Sequence, residues 1–488
     1  MKQIEKDSFN WIICPECHGH AKKSKGLSKK LQFQYQLELA EFEKNKNDLI
    51  PPTIPKGHLY LCTNCSGSGL IHSTTNKMVD TSNYPNVAII GGGIGGVALA
   101  VACLHRGIPF SLYERDTSFE ARSQGYGLTL QQASKALKGL GIQTLKEGIT
   151  STKHLVHTTS GKVIGEWGLR KWMKQNSKES SKNSNIHIAR QALRQALLEQ
   201  LGGNNAVQWN HQLVDLNENQ DKTFNVRFQV NGKIKIATHD LVVGADGIRS
   251  SVRKVLFGDN DTPLVYLGCI VILGICLLKD LEGSDNPLLD SATVFQTANG
   301  NERIYVMPFT SDSVMWQLSF PMSEEEAKIL SEKGTFALKA EAIRRCQWHE
   351  PVPQIIGATA EVQISGYPVY DRELLTTELL SKAGQVTLIG DAAHPMSPFK
   401  GQGANQALLD ALALARAISK ECKSNPDWRE IGLRQTVLKE FESVMIDRSS
   451  IKVKDSAAAA QFLHSDNVLL KMDAPRGSCI NKTNSKMV

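Results

Sequence analysis

Glycine-rich turns and paired cysteines are the two features of this sequence whose residue types and spacing could do chemistry. The first turn lies in VAIIGGGIGGVALA, where Gly91, Gly93 and Gly96 stand in G-x-G-x-x-G order between a strand pattern and a helix pattern. Gly91 permits a tight turn, Gly93 lets the backbone approach a pyrophosphate at the helix N-terminus, and Gly96 permits close packing of helix on strand. Glu114 closes the next strand eighteen residues after Gly96 and could accept hydrogen bonds from a ribose diol. The pattern predicts nucleotide binding; a plain turn between strand and helix is the alternative, and the spacing does not choose between NAD and FAD.

Two later segments also end a strand at an acidic residue beside glycine. LVVGADGIRSSVRK (241–254) places Asp246 after a strand, and VTLIGDAAHPMSPFKGQGANQALLDALALARAI (386–418) places Asp391 there. A carboxylate at the buried end of a strand needs a partner, so Asp391 is difficult to explain as a structural residue alone. These two segments are more specific than the glycine spacing.

Together the three segments resemble the class A flavoprotein monooxygenases, the family of para-hydroxybenzoate hydroxylase, which carries G-x-G-x-x-G, D-G and G-D motifs in this order. The resemblance covers roughly residues 85–420. It implies that FAD is the cofactor, that Glu114 holds the adenosine ribose and that Asp391 bonds the ribityl chain. Asp246 would help to form the cofactor site, and the D-G motif is also tied to NAD(P)H in that family.

Three arginines also match family positions. Arg115 and Arg122 would lie near the adenine and the pyrophosphate, and Arg190, in IHIARQALRQAL, matches an arginine that contacts FAD at the start of a helix. Structural alternatives stay open: Glu114 and Arg115 could form a solvated strand end, and Arg190 could be an ordinary first-turn arginine.

The third motif runs into a helix whose N-terminus lies near Gly401, Gly403, Ala404 and Asn405. Backbone N–H groups and the positive end of the helix dipole suit the negative charge that builds on the ring of reduced flavin. His394 could serve as a base, but the family uses this position structurally. The catalytic side chains stay unknown.

The resemblance implies a reaction in which the cofactor carries the difficult step. No second G-x-G-x-x-G follows a strand, so NAD(P)H would bind transiently, reduce the flavin and leave. Reduced flavin would then capture O2 as a C4a-hydroperoxide and transfer one oxygen atom to an electron-rich carbon. The prediction is an FAD-dependent monooxygenase for a small aromatic or polyketide-like substrate. Within the family, the chain resembles the tetracycline-inactivating members. The alternatives are a related FAD reductase or halogenase, and a non-catalytic or redox-sensing flavoprotein whose cysteine module binds a partner.

The substrate would lie between the flavin and a sheet formed by residues 264–322. Large side chains in its strands are pocket candidates, and a place in the core is the alternative for most of them. These candidates are Phe295, Tyr305, Met307, Trp316 and Phe320.

Paired cysteines mark a separate N-terminal module. CPECHGHA (14–21) and CTNCSGSG (62–69) resemble the C-x-x-C-x-G-x-G zinc repeats of DnaJ-type chaperones, although the first ends in Ala21 instead of glycine. Each C-x-x-C supplies two thiolates from one turn, and tetrahedral zinc takes four ligands. A redox pair and plain buried thiols are the alternatives. The predicted ligands of one zinc site are Cys14, Cys17, Cys62 and Cys65.

The elements that must position these residues predict an α/β fold. It comprises a Rossmann-like FAD-binding domain with an inserted mixed-sheet substrate domain, a C-terminal helix and the small N-terminal zinc-knuckle module. The predicted boundaries are 1–72 for the cysteine module, 73–84 for a linker, 85–148, 180–262 and 376–422 for the FAD-binding domain, 149–179 and 263–375 for the substrate domain, 423–470 for a C-terminal helical segment and 471–488 for a disordered tail.

Composition narrows the class of protein. The 488 residues, 41% hydrophobic and 22% charged, suffice for two or three domains, and no apolar run reaches the roughly 18–20 residues that a membrane span needs. The first residues lack a secretory pattern and only four of the ten cysteines are paired, so we expect a cytoplasmic protein without structural disulfides. A net charge of +7 without a long basic face gives weak support to nucleic-acid binding. A small-molecule substrate, O2 and NAD(P)H are the expected partners, and a lysine-rich patch at residues 22–30 leaves a protein partner of the N-terminal module open.

Overall fold

The computed structural model describes residues 10–44, 52, 55, 57–74, 78–121, 126–131, 133–169, 185–258, 262–281 and 286–476. The chain divides into two compact units, Met1–Met78 and Val79–Val488. The division falls inside the predicted linker, because residues 79–84 belong to the second unit and Tyr84 is buried in its core.

The first unit has two small antiparallel sheets and one helix among its described residues. β1 pairs with β4 and β2 pairs with β3. No residue of the helix is buried, and the buried side chains cluster around the cysteines. Its elements are β1 (Asn10–Ile13), β2 (Lys22–Ser24), α1 (Lys29–Lys44), β3 (Leu59–Leu61) and β4 (Leu70–Ser73).

The second unit alternates strands and helices near its start and gathers strands in its middle, so the predicted α/β fold is confirmed. Its strands are β5 (Val87–Ile90), β6 (Phe110–Tyr113), β7 (Gly127–Leu130), β8 (Ile149–Thr150), β9 (Lys153–Thr158), β10 (Val163–Trp167), β11 (Ile186–Ala189), β12 (Val207–Gln208), β13 (Gln212–Glu218), β14 (Phe224–Val230), β15 (Lys233–His239), β16 (Leu241–Gly244), β17 (Leu264–Leu277), β18 (Thr293–Ala298), β19 (Arg303–Thr310), β20 (Ser313–Pro321), β21 (Ile364–Arg372) and β22 (Val386–Leu388). Its α-helices are α2 (Ile94–Leu104), α3 (Ser134–Lys138), α4 (Arg190–Gln200), α5 (Ser251–Phe257), α6 (Glu324–Glu332), α7 (Gly334–Arg345), α8 (Val352–Ala358), α9 (Thr377–Ser381), α10 (Gly403–Ser424), α11 (Trp428–Ile431) and α12 (Lys439–Leu463).

A five-stranded parallel sheet, in the order β12-β6-β5-β16-β22, carries the glycine motif. β5 (VAII) and β16 (LVVG) are buried at every position, as parallel strands covered on both faces are. The small residues of α2 let it pack closely on this sheet and on α10. Ile89, Leu99 and Leu408 lie fully buried in the resulting core.

A seven-stranded sheet, in the order β10-β9-β18-β19-β20-β17-β21, forms the middle of the second unit. Its strand pairs are antiparallel except β9 with β18, so the predicted mixed sheet is present. α6, α7 and α8 pack on one face, and α6 begins with a capping box in which Ser323 and Glu326 satisfy each other's backbone N–H groups. The other face of the sheet borders a cavity.

Part of the predicted disordered tail is ordered. Arg476 is buried, and its guanidinium donates hydrogen bonds to the carbonyl oxygens of Val468 (3.1 Å) and Met472 (2.9 Å). Residues 477–488 lie outside the described residues. None of the helices in the described part of the chain combines the length and the apolar character that crossing a bilayer would require.

Candidate functional site

A cavity of about 880 Å³ lies where β5, β16 and β22 end, and it extends to the seven-stranded sheet. The strand order reverses at β5, which has β6 on one side and β16 on the other. Open α/β sheets bind ligands at this position, outside the carboxyl ends of the strands. Six of the predicted cofactor residues line the cavity: Gly93, Arg190, Asp391, Gly401, Gly403 and Ala404.

The glycines of the first turn have two different roles, close packing of the backbone and access for a ligand. Gly91 has φ +111°, and a Cβ there would lie 2.5 Å from the carbonyl oxygen of Ala245. A Cβ at Gly96 would lie 1.9 Å from the carbonyl oxygen of Gly91. Gly93 is different, because it lines the cavity and a Cβ there would meet nothing within 4 Å. Gly91 and Gly96 therefore permit the turn, and Gly93 keeps its backbone open to a ligand.

Glu114 acts on the turn from the end of β6. Its carboxylate accepts hydrogen bonds from the backbone N–H groups of Gly92 (2.7 Å) and Asp116 (3.0 Å) and is nearly buried. It is outside the cavity lining, Arg115 is exposed, and Arg122 lies outside the described residues. Their contacts with the cofactor stay predictions.

Arg194 is a site residue that the sequence did not reveal. Its Nε donates a 2.7 Å hydrogen bond to the carbonyl oxygen of Gly92, and its guanidinium lies 4.9 Å from the ring centre of Phe119 and 5.4 Å from that of Trp209. Glu114 and Arg194 thus hold the same glycine from opposite ends. The signal was its position four residues after Arg190, on one face of α4.

Arg190 and Asp391 face the cavity as a charged pair of opposite sign. Burial raises the pKa of Asp391, and the charges of Arg190 and His394 oppose that rise. Tyr126, and after it Asp391, hold the pKa of Arg190 above its ordinary value, and the guanidinium lies 5.4 Å from the Tyr126 ring centre. A half-buried carboxylate beside a cation is an acceptor for the hydroxyl groups of a ligand.

The turn before α10 is shaped by one glycine and one amide. Gly401 has φ +59°, in the left-handed region, and Gly403 begins the 22-residue helix. Asn405 is fully buried and outside the cavity lining; its Oδ1 accepts from the N–H of Gln131 (2.9 Å) and its Nδ2 donates to the carbonyl oxygen of Gly401 (2.8 Å). Asn405 therefore positions the turn, and its predicted contact with the cofactor stays a prediction.

Asp246 caps a helix beside the cavity. Its Oδ2 accepts hydrogen bonds from the N–H groups of Ser251 (2.6 Å) and Val252 (3.2 Å) at the start of α5. Its Oδ1 is buried and has no hydrogen-bond partner among the described residues, and burial raises the pKa of the carboxyl group. Asp246 is outside the cavity lining, so its predicted contact with the cofactor stays a prediction.

These groups together fit a dinucleotide such as FAD. Two helix N-termini, those of α2 and α10, begin at or beside residues that line the cavity. Helix N-termini favour phosphate and other anions, and Asp391 supplies an acceptor for hydroxyl groups. The site therefore offers hydrogen-bond donors for phosphates and an acceptor for the hydroxyl groups of sugars.

His394 belongs to a buried network that braces the turn of Asp391. Its Nε2 lies 2.7 Å from Oδ2 of Asp410, which also accepts from the N–H of Gly390 (2.9 Å), while Arg448 donates to Oδ1. Burial lowers the pKa of His394, but contact with Asp410 outweighs burial and the pKa lies above its ordinary value. The placement supports a structural role for His394.

Strand alternation decides which pocket candidates reach the cavity. Tyr305 and Met307 line it from the cavity face of their strand. Phe295 borders the cavity as well, but it pairs with Val306, which pairs with Trp316, so its side chain lies in the core on the opposite face. Trp316 and Phe320 lie fully buried in the core beneath α6, α7 and α8, so their prediction as pocket residues is wrong. Successive side chains of a strand point to opposite faces, and both faces of this sheet are buried.

Three polar residues on the cavity face of the sheet were also missed. Gln296, Arg303 and Gln317 are buried and line the cavity. A charged residue at the start of an otherwise apolar strand, Arg303 in RIYVMPF, was the available signal.

The four predicted zinc ligands come together in the first unit. The Sγ atoms of Cys14, Cys17, Cys62 and Cys65 lie within 4.8 Å of one another and all four side chains are buried. The pairs across the two knuckles are separated by 3.9 Å (Cys14 and Cys62) and 3.7 Å (Cys17 and Cys65), and no disulfide joins them. Although burial raises it, hydrogen bonds from the backbone N–H of Cys17 and from Asn64 bring the pKa of the Cys14 thiol down to about 7.

The two knuckles have the same backbone despite their different last residues. His18 and Ser66 both have φ +49°, and Gly19 and Gly67 have φ +80° and +79°. Ala21, which replaces the last glycine of the repeat, has φ +65°, in the left-handed region that glycine favours. The first knuckle thus keeps the conformation of the repeat without its final glycine.

Comparison with known proteins gives a match over most of the chain. The sequence profile of a family described as FAD binding domain covers residues 84–428. Aurachin C monooxygenase/isomerase from Stigmatella aurantiaca is 27% identical over 379 residues, which are 77% of this chain and 89% of the relative. The 3-amino-4-hydroxybenzoate 2-monooxygenase PtmB3 from Streptomyces platensis is 29% identical over 336 residues, 69% of this chain and 80% of the relative.

Solved structures share the fold. HpxO from Klebsiella pneumoniae, complexed with FAD and uric acid, has a TM-score of 0.65 at 21% identity and covers 79% of this chain and 90% of its own. The tetracycline destructase Tet(51) has a TM-score of 0.55 at 18% identity, over 79% of this chain and 94% of its own. At these identities the likeness is one of fold.

Proposed function

The chain belongs to the FAD binding domain family, and from this premise we propose that it is an FAD-dependent monooxygenase that uses NAD(P)H and O2 to hydroxylate a small aromatic or polyketide-like substrate. The observation that supports this proposal is one continuous cavity. Gly93, Asp391 and Gly403 line it at the nucleotide-binding turns, and Tyr305 and Met307 line it at the sheet. A cofactor held by the turns and a substrate held on the sheet would meet inside one enclosure, as oxygen transfer requires.

The residues of the turns would hold and orient the cofactor. When bound and reduced, FAD supplies the chemistry that activates O2 for transfer of one oxygen atom. The N-terminus of α2, open at Gly93, would bind the pyrophosphate, and Asp391 would accept hydrogen bonds from hydroxyl groups of the cofactor chain. The N-terminus of α10 would stabilise negative charge on the ring.

The sheet face would bind the substrate and exclude water. Val294, Met307 and Met315 are buried and form an apolar cluster on this face. Apolar walls keep water away from the reacting atoms. Among the described residues, the five-stranded sheet is the one parallel sheet that carries a glycine turn, and FAD would occupy that turn. This supports a mode of action in which NAD(P)H binds only transiently.

The relatives support the substrate class. One is named for 3-amino-4-hydroxybenzoate, one fold neighbour was solved with uric acid and another is a tetracycline destructase. The first two are planar ring compounds and the third name points to a polyketide. A planar ring substrate is therefore proposed for this chain.

Turnover and product mass test the proposal. Purified, FAD-loaded protein is expected to oxidise NADPH or NADH faster when a phenol, indole or tetracycline substrate is added, with O2 consumed and a product that has gained one oxygen atom. NAD(P)H oxidation without oxygenated product across such a panel would favour a reductase. No NAD(P)H oxidation at all would favour a non-catalytic flavoprotein.

Substitution at Asp391 tests the cofactor site. Asp391→Ala is expected to weaken FAD binding about ten- to a hundredfold, because a hydrogen bond to a charged group contributes about 1.5–3 kcal/mol. FAD retained after gel filtration, measured by absorbance, reports the loss. The matched control is Asp447→Ala, at an exposed position on α12 outside the cavity. Equal FAD content in the two variants would contradict the assignment of Asp391.

We also propose that the first unit binds one Zn2+ through its four cysteines. The arrangement of four buried Sγ atoms within 4.8 Å supports a closed tetrahedral site. Elemental analysis of the full chain is expected to show one zinc per chain, lost in Cys62→Ser. Thr63→Ala, an exposed position of the same knuckle, is the control and should keep the metal. Unchanged zinc content in Cys62→Ser would contradict the site.

A further inference from the structure

The cavity face of the seven-stranded sheet carries a polar patch that the proposed reaction does not use. Gln296, Arg303 and Gln317 belong to β18, β19 and β20, and their exposed fractions are 5%, 5% and 9%. Tyr305 pairs with Gln296 on one side and Gln317 on the other, and Arg303 is two residues before Tyr305 on the same strand. The pleat therefore points all of these side chains to one face, and all of them line the cavity.

Arg303 is a buried cation without a counter-charge. Its Nε donates a 2.7 Å hydrogen bond to Oε1 of Gln296, and its guanidinium lies 5.0 Å from the Tyr305 ring centre. Within the described ranges no carboxylate forms an ion pair with it; its neighbour Glu302 pairs with Arg345 instead, at 2.8 Å. Burial lowers the pKa of Arg303 to about 10, so the group stays charged at neutral pH. Burial of an unpaired charge is unfavourable unless a ligand supplies the partner.

Gln317 is a second donor without an acceptor. Its Nε2 is buried and has no hydrogen-bond partner among the described residues. Buried polar groups are nearly always satisfied, so an orphaned donor in a cavity indicates a missing acceptor. Arg303 and Gln317 lie on adjacent strands of the same face, so one ligand group could accept from both.

Two other cations of the cavity have an acidic neighbour in the described structure, and two more that line it, Arg249 and Lys452, are less buried than Arg303. Arg190 lies beside Asp391, and Nζ of Lys400 lies 3.2 Å from Oδ2 of Asp455. Arg303 differs from them because its nearest oriented partner, Gln296, is neutral. The buried positive charge that lacks an acidic partner is thus located on the sheet.

The surroundings of the patch are apolar. Val294, Met307 and Met315 form the adjacent cluster on the same face. A ligand that places oxygen atoms on Arg303 would place its carbon skeleton on these side chains.

We propose that Arg303 and Gln317 form a subsite for the carboxylate of an aromatic acid, whose ring packs on Val294, Met307 and Met315. This inference rests on the proposed function and names its substrate class. The guanidinium would present a planar, two-donor face to the two carboxylate oxygens, with Gln296 fixing its orientation. Gln317 would donate to one of the same oxygens.

Isothermal titration calorimetry on the FAD-loaded full chain, without NAD(P)H, tests the subsite. The probes are two matched pairs: benzoate with benzamide, and 2-aminobenzoate with 2-aminobenzamide. The wild type is expected to bind each acid at least about tenfold more tightly than its amide, as a charge-assisted pair would produce. Equal affinity for acids and amides would overturn the proposal.

Variants locate the preference for acids. Arg303→Met is expected to lose it, Arg303→Lys to keep part of it, and Gln317→Leu to weaken acid binding several-fold with amide binding little changed. Arg344→Met, an exposed cation on α7 that pairs with Glu341, is the matched control and should keep the full preference. If Arg303→Met misfolds, as thermal melting would show, the Arg303→Lys and Gln317→Leu comparisons still decide. An undiminished acid preference in all the folded variants would overturn the subsite.

Separate measurements keep the two proposals apart. FAD content and NAD(P)H oxidation report the proposed function, and neither enters the ratio of acid to amide affinity. A protein that prefers acids but never oxygenates them would retain the subsite and lose the monooxygenase. A protein that oxygenates neutral compounds and shows no preference for acids would retain the monooxygenase and lose the subsite.

Discussion

The two units of this chain have cores of different kinds. The first unit buries a cluster of four cysteines with Ile71 packed against it, and its described helix α1 has no buried residue. The second unit buries an extended apolar core around its parallel sheet, in which Ile89, Leu99 and Leu408 are fully inaccessible. A small unit cannot bury enough apolar surface to fold alone, and it commonly needs a metal or disulfides.

The difference teaches where a ligand contributes stability and where it contributes only chemistry. In the first unit, zinc would be part of the core, because the buried thiols are the predicted metal ligands. In the second unit, the cavity lies beside a core that is complete without it. Removing zinc should therefore unfold the first unit, whereas removing FAD should leave the second unit folded and inactive.

The largest expected effect is the loss of the metal from the first unit. Structural zinc contributes about 10–16 kcal/mol of apparent binding free energy in small zinc domains, so a chelator should abolish the fold of the unit. Hydrogen exchange of the full chain is expected to show loss of protection at β1 and β4 and no change at β5 and α2. Thr63→Ala with zinc bound should keep full protection. Protection of β1 and β4 in metal-free protein would break the comparison.

The two faces of the seven-stranded sheet extend the comparison within the second unit. Trp316 on the core face is fully buried, and its indole N–H donates a 2.8 Å hydrogen bond to Oγ1 of Thr359. Trp316→Ala should reduce the free energy of unfolding by about 3–5 kcal/mol. Met307→Leu, a change of similar volume on the cavity face, should cost less than about 1.5 kcal/mol. Urea unfolding of the full chain measures both, and equal losses would show that the cavity face is part of the core.

How much the sequence predicts follows from the same contrast. The glycine turn, Asp391 and the four cysteines act through local spacing, and spacing is visible in a sequence. The cavity face of the sheet is not local. Alternation predicts that Tyr305 and Met307 share a face, but both faces of the sheet are buried, so apolar residues alone do not show which face borders the cavity. The polar residues on the face of Tyr305, such as Arg303, are the one local mark of that face.

Residues that act through distant partners were the least predictable. Arg194 reaches Gly92 across 102 positions, and Asn405 joins Gln131 across 274. Such contacts depend on how the elements pack, and a single sequence does not show this. The role of Asp246 as a helix cap is the opposite case, because its partners are backbone N–H groups only five and six residues later in the chain.

A smaller effect concerns a carboxylate buried in the second unit. Burial raises the pKa of Asp371, in β21, to about 6. A folded pKa above the unfolded one means that stability is full below the unfolded pKa and is lost as the pH rises through about 6. Asp371→Asn should therefore raise the free energy of unfolding by about 2–3 kcal/mol at pH 8 and leave it nearly unchanged at pH 4.

Hydrogen exchange at β17 and β21, which pair beside Asp371, is the measurement for this carboxylate. Asp447→Asn, exposed on α12, is the control and should change neither value. A gain for Asp371→Asn that is the same at both pH values would mean that packing, and not ionisation, explains it. Ionisation of Asp371 would then change the free energy of unfolding of the second unit less than its burial predicts.

The smallest effect separates the two knuckles of the first unit. Ala21 and Gly69 end equivalent repeats with φ +65° and +82°. Alanine in the left-handed conformation costs about 1–2 kcal/mol, and glycine would remove this strain. Glycine also makes the unfolded chain more flexible, which offsets part of the stabilisation. Ala21→Gly should therefore stabilise the zinc-loaded unit by about 1 kcal/mol or less. Competition with a chelator should show zinc held up to about fivefold more tightly. Ala40→Gly, on the exposed helix α1, is the control and should instead destabilise.

The reverse change in the second knuckle makes this test decisive. A Cβ at Gly69 would lie 2.5 Å from the carbonyl oxygen of Gly19, whereas Ala21 already accommodates its own Cβ. Gly69→Ala should therefore weaken zinc binding more than Ala21→Gly strengthens it, because it adds a backbone collision to the conformational strain. Effects of equal size and opposite sign would mean that backbone conformation alone governs both positions. Unequal effects would show that the first knuckle has adapted to its alanine while the second depends on its glycine, so that the two repeats share a backbone but cannot exchange residues.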